Sequence, residues 1–179
     1  MRAGAHSDYG SITLLFQQTG QPGLEILTSE GKWAPVPVWP GDHTAKTNAE
    51  LPSTGSTFPP ILVNIGDLLS YWTDGVLKST IHRVVFPLAE RTLPTSASKD
   101  RYSIAFFCHP LDDTELVPVP SQLVTNARNA KKELESQPVG FGGGAGSLGP
   151  NSRVLTAREH LMSRLGATYD FRKNETSAS

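Results

Sequence analysis

Near its start the chain reads His6-Ser7-Asp8, within GAHSDYGSITLLFQ (residues 4–17). Residues i and i+2 of an extended strand point to the same face, so an imidazole and a carboxylate there can be aimed at one point. That is a chelating geometry. Alone, the pair reads as polar residues of a frayed terminus, and a third ligand is what would turn the reading to chemistry. His82, in LKSTIHRVVF (77–86), is the candidate: a predicted strand carries it, flanked by Ile81, Val84 and Val85, which would shield it from water. Taken singly, a histidine on such a strand is a core residue. Further on, Arg101 and Ser103 alternate onto one face of RYSIAFFC (101–108). A planar guanidinium grips a carboxylate through two hydrogen bonds and stays charged when enclosed, and a serine hydroxyl can donate to the same carboxylate. Separately, the two are a surface ion-pair partner and a solvent-facing strand position.

Two histidines and one carboxylate on adjacent strands make a facial triad with three open positions, the arrangement associated with non-haem Fe(II) oxygenases. A cosubstrate chelating through two oxygens would take two of those positions and dioxygen the third. Neutral imidazoles and a single carboxylate leave the iron enough positive charge to hold an anionic chelator.

These residues need rigid elements to hold them. SITLLFQ (11–17), GLEIL (23–27), KWAPVPV (32–38), ILVNIG (61–66), DLLSYWT (67–73), TIHRVVF (80–86) and RYSIAFFC (101–108) are rich in branched and aromatic residues and bounded by turn formers, which predicts strands of an all-β core. Alternation in several of them suits a two-sheet barrel or sandwich. Residues 39–60 are polar and turn-rich, a long surface loop in which His43 is inert. Residues 121–136 predict a marginal helix, and 138–152 a flexible Gly-rich linker without the Lys and Ser/Thr of a phosphate-cradling loop. Thr156 with Glu159 forms a capping box, with Leu161, Met162 and Leu165 at helical spacing, so a short C-terminal helix follows. His160 within it is structural. Core packing is expected of Tyr71, Trp72, Phe107 and the single cysteine, Cys108.

The 179 residues suit one domain, and 37% hydrophobic with 18% charged residues is ordinary soluble composition. Sixteen basic against seventeen acidic residues give a net charge of -1, with no basic stripe to hold a phosphate backbone, so nucleic acid is not an expected partner. No apolar run is long enough for a membrane helix, and the basic-then-apolar order of a signal peptide is absent. The expectation is a cytoplasmic monomer.

The order H-x-D, then H, then R-x-S resembles the 2-oxoglutarate and Fe(II)-dependent dioxygenase superfamily, in particular its isopenicillin N synthase-like branch. GAHSDYGSITLLFQ, LVNIGDLLSYWTDGVLKSTIHRVV and RYSIAFFCHP are similar to that family's signature segments. The resemblance implies a mainly β double-stranded β-helix, a distorted jelly roll, over residues 1–120, with 121–179 as a helical and Gly-rich extension. It implies His6, Asp8 and His82 as iron ligands and Arg101 with Ser103 as the pair holding the far carboxylate of 2-oxoglutarate. Asn64, Gly66 and Asp67 match a recurrent turn of structural role. The implied cofactors are Fe(II), 2-oxoglutarate and O2, with ascorbate as a reductant. The implied activity is hydroxylation or desaturation of a small organic substrate, of the kind met in secondary metabolism, with release of succinate and CO2. Family members carry a large region before H-x-D, so the chain is expected to be the C-terminal part of a longer oxygenase. The alternatives are a non-catalytic remnant and an oxidase of the isopenicillin N synthase type that does not use 2-oxoglutarate.

Overall fold

The computed structural model describes residues 3–39, 59–86, 100–133 and 153–176. His43, most of the 39–60 loop and the Gly-rich linker lie outside them. The chain divides into two compact units.

The first unit, drawn from Met1–Ser7, Thr13–Asn64 and Thr80–Phe106, holds most of the strand residues. β1 (Ala3–His6), β6 (His82–Val84), β3 (Leu24–Leu27) and β4 (Trp33–Pro35) form one sheet in that order. β5 (Leu62–Ile65), β2 (Ile12–Gln17) and β7 (Ser103–Cys108) form another, with β2 central. The branched segments thus give the mainly β core that the sequence predicts, with β2, β3, β5 and β7 one or two residues shorter than their apolar runs and β4 and β6 reduced to three residues each. In the first sheet β6 pairs antiparallel with both neighbours, which sets His82 opposite His6 on one side and Ile26 on the other. One step along, Arg83 faces Glu25, and their side chains form an ion pair of 2.7 Å with the guanidinium 4.0 Å above the Trp33 ring. This half-buried cross-strand pair reinforces the register in which His82 is held. Between Ala3 and His6 the β1–β6 register slips, a bulge just before the first histidine.

The second unit, drawn from Asp8–Ile12, Ile65–Ser79 and Phe107–Ser179, contains the helices. Asp67–Trp72, predicted as a strand, is a helix, α1. Its apolar residues are dense enough to read either way. What decides is the extended Gly66 before it and the placing of Leu68, Tyr71 and Trp72 three and four residues apart, so that they share one face. That face packs on Leu116 and Ala157, and the Trp72 indole N–H donates to the Val117 carbonyl at 2.6 Å. α2 (Gln122–Glu133) follows the marginal prediction closely, and its Arg128 pairs with the buried Asp74 at 2.7 Å. The C-terminal helix, α3, runs over Ala157–Thr176, twenty residues rather than the short helix expected. Its capping box is reciprocal: Glu159 N–H donates to Thr156 Oγ1 at 3.3 Å, and Thr156 N–H to Glu159 Oε2 at 3.0 Å.

Tyr71 and Trp72 pack as expected, but Phe107 is 61% exposed and Cys108 only half-buried, against the expected core positions. Both faces of β7 are open: Tyr102 just before it, Ile104 and Phe106 are exposed too, so its alternation does not divide core from solvent among the described residues. No helix among the described residues is long and apolar enough to cross a membrane.

Candidate metal centre

His6, Asp8 and His82 come together. Each offers one ligand atom, and these atoms lie within 4.8 Å of one another. His6 ends β1 and His82 begins β6, with ring centroids 4.4 Å apart and planes tilted by 57°. Asp8 is not on the strand with His6, as the i, i+2 argument assumes, but two residues beyond it, with a buried side chain.

The backbone fixes which imidazole nitrogen faces inward. His6 Nδ1 lies 2.7 Å from the Gly4 carbonyl and His82 Nδ1 lies 3.0 Å from the Thr80 carbonyl. A carbonyl oxygen only accepts, so in both rings Nδ1 carries a proton, and Nε2 is the nitrogen that the neutral ring would offer to a metal. Two imidazoles and a carboxylate, all from this chain, are the donor set of a 2-His-1-carboxylate site for a divalent ion such as Fe(II). The residues present fit that group.

The segment after Asp8 is held by its backbone. Asp67 N–H donates to the Asp8 carbonyl at 2.7 Å, Leu68 N–H to Gly10 at 3.1 Å and Gly66 N–H to Ser11 at 2.9 Å. Ser11 N–H and Oγ both reach the Cys108 carbonyl, at 3.0 and 2.8 Å. A side chain at Gly66 would overlap the Gly10 carbonyl oxygen. The NIGD turn therefore acts through structure, as anticipated, and the loop that it supports is the one bearing Asp8.

Arg101 and Ser103 are also brought together: Arg101 Nη1 donates to Ser103 Oγ at 3.3 Å. Arg101 Nε lies 3.3 Å from the carbonyls of Gln21 and Pro22, which fix the plane of the guanidinium. Arg101 stands just before β7 and not inside it.

Sequence reading passed over Arg164 of α3, which pairs with Asp67 at 2.6 Å. It also passed over the environment of His160, which is buried, with its ring 5.1 Å from that of Tyr71. Burial pushes the His160 pKa down, and the nearby Arg164 adds to this, against an opposing pull from Asp67. Tyr71 is raised, first by burial and then by Asp74. Nothing local in the sequence signals these contacts; only the regular spacing of His160 and Arg164, one turn apart on α3, places them on one face.

Comparison with known proteins places the chain in a family. The family described as the 2OG-Fe(II) oxygenase superfamily matches residues 1–110. Validamycin A dioxygenase of Streptomyces hygroscopicus subsp. limoneus is 29% identical over 165 residues, 92% of this chain and 34% of that protein. Proline hydroxylase buaE of Petromyces alliaceus is 35% identical over 134 residues, 74% of this chain and 36% of that protein. Among solved structures, a full-length Neurospora crassa protein in complex with alpha-KG superposes with a TM-score of 0.56 at 29% identity, over 94% of this chain and 38% of that one. The likeness bears out the double-stranded β-helix class. The chain spans about a third of the length of the curated relatives it matches. With its mainly β sheets, its His-Asp-His cluster and a family match over most of its length, this chain belongs to the 2OG-Fe(II) oxygenase superfamily.

Proposed function

We propose that this chain carries the iron- and 2-oxoglutarate-binding core of an oxygenase that hydroxylates or desaturates a small organic substrate, releasing succinate and CO2. The observation that supports it most is the convergence of His6, Asp8 and His82 within 4.8 Å. In this reading His6 and His82 present Nε2 to the metal, oriented through Nδ1 by the Gly4 and Thr80 carbonyls, and Asp8 supplies the carboxylate. Arg101, steadied by Gln21 and Pro22, and the adjacent Ser103 grip the far carboxylate of 2-oxoglutarate. Bound at the triad, Fe(II) would supply the oxidative decarboxylation of 2-oxoglutarate that couples O2 to substrate oxidation, with ascorbate keeping the metal reduced. The substrate is a small molecule, in line with names as different as validamycin A dioxygenase and proline hydroxylase among the relatives.

The test is succinate release from the chain supplied with Fe(II), ascorbate, O2 and 2-oxoglutarate. The expected result is slow release without added substrate, lost in Asp8→Asn. Equal release from Asp8→Asn would contradict the reading. A second reading, a core that binds metal and 2-oxoglutarate without turnover, is favoured by the exposure of Ile104, Phe106 and Phe107 at 59–70% along β7, apolar surface that a working enzyme would cover. Binding of both without succinate would select it.

A further inference from the structure

Arg164 lies in α3, outside the matched residues 1–110. Its side chain is 20% exposed and that of Asp67 is 8% exposed, with Nη2 and Oδ2 2.6 Å apart. Two largely buried, oppositely charged groups at that distance hold each other in one geometry, because separating them would strand a charge away from water. Asp67 is tied by its own N–H to the Asp8 carbonyl. The Arg164 guanidinium also stands 5.8 Å from the centroid of the Tyr9 ring, within reach of its π face, and Tyr9 is the residue after Asp8. Arg164 therefore grips the Asp8–Tyr9 segment at two points: through the side chain of Asp67 on one side and against the ring of Tyr9 on the other. Gly66, where no side chain fits, lets the turn approach that segment closely enough for the contact to pass.

We infer that Arg164 is a positioning residue for the metal centre: through Asp67 and Tyr9, the C-terminal helix sets the place of the Asp8 carboxylate. The inference rests on the triad being the metal site. A bystander ion pair would affect only the stability of the fold, whereas outer partners that orient a ligand change metal affinity, typically by 10–100-fold when removed. The two roles separate in one experiment.

The experiment titrates the whole chain with Co(II), a visible stand-in for Fe(II), and records thermal unfolding of the metal-free forms alongside. Wild type, His82→Ala, Arg164→Met, Arg164→Lys and Asp67→Asn are compared. The expected result is a Kd for Co(II) raised about 10–100-fold in Arg164→Met and Asp67→Asn. Arg164→Lys, keeping the charge but not the fork, falls between. The double variant Arg164→Met/Asp67→Asn should be no worse than Arg164→Met alone, because the ion pair with Asp67 is already lost there. Should Arg164→Met fail to fold, Arg164→Lys and Asp67→Asn carry the comparison. Folded variants that bind Co(II) within twofold of wild type, whatever their melting temperature, overturn the inference. Failure of the underlying metal-site reading looks different: His82→Ala would then bind Co(II) as tightly as wild type.

Discussion

His6 and His82 stand opposite each other across β1 and β6, their rings 4.4 Å apart and each Nδ1 turned to a backbone carbonyl. They are not held equally. His82 is half-buried on a strand paired on both sides, while His6 is exposed, follows a bulge and ends a strand that, among the described residues, stands at the edge of its sheet. Preorganised ligands contribute more to a metal site than loose ones. His82→Ala should therefore lower Co(II) affinity more than His6→Ala, by roughly tenfold, in side-by-side titrations. A larger loss from His6→Ala would contradict this ranking.

Gly66→Ala tests the turn that carries Asp67. The added methyl would meet the Gly10 carbonyl, and backbone on both sides must shift to admit it. Overpacking of this kind costs about 1–3 kcal/mol. Urea unfolding should show that loss, and the shift of the Asp8 loop should weaken metal binding as well. An unchanged midpoint would mean that the approach is looser than described.

His160 makes stability depend on pH. Burial, then Arg164, hold its pKa below the ordinary 6.5, with His109 acting in the same direction and Asp67 opposing. The unfolded chain thus takes up this proton at higher pH than the native chain does. The stability that the neutral ring contributes is present above 6.5 and is lost as pH falls through 6.5 toward the native value, by at most about 1.4 kcal/mol per pH unit. His160→Gln should flatten the acid limb of unfolding midpoint against pH. The same limb in variant and wild type would contradict the assignment.

Arg101→Lys replaces a planar fork by a point charge. In the proposed role this removes one charge-assisted hydrogen bond to 2-oxoglutarate, worth about 1.5 kcal/mol, so the Kd for 2-oxoglutarate in the presence of Mn(II) should rise about tenfold by calorimetry. Unchanged affinity would move the carboxylate grip elsewhere.

The triad was legible because ligand chemistry restricts residue types so tightly: few patterns besides H-x-D followed by a shielded histidine on a strand put two imidazoles and a carboxylate in reach of one ion. The sheets were legible from runs of branched residues. α1 was not, since Leu68, Leu69, Tyr71 and Trp72 are apolar at both strand and helix spacings, and only tertiary packing on Leu116 and Ala157 distinguishes them. The open faces of β7 were missed for the opposite reason: alternation predicts which side chains share a face but not whether anything covers it. Arg164 was invisible because its partners, Asp67 and Tyr9, are distant in sequence and an arginine on a helix has no local mark of burial.

The most direct test of the central claim, that the triad holds iron together with 2-oxoglutarate, is the visible absorption of the chain under anaerobic conditions with both added. Fe(II) chelated by 2-oxoglutarate at a 2-His-1-carboxylate site gives a charge-transfer band that neither component gives alone. The account predicts the band in wild type and in a His43→Ala control, saturating at one Fe(II) per chain, and its loss in His82→Ala. A band of equal intensity in His82→Ala, or none in a folded wild-type chain, would contradict it.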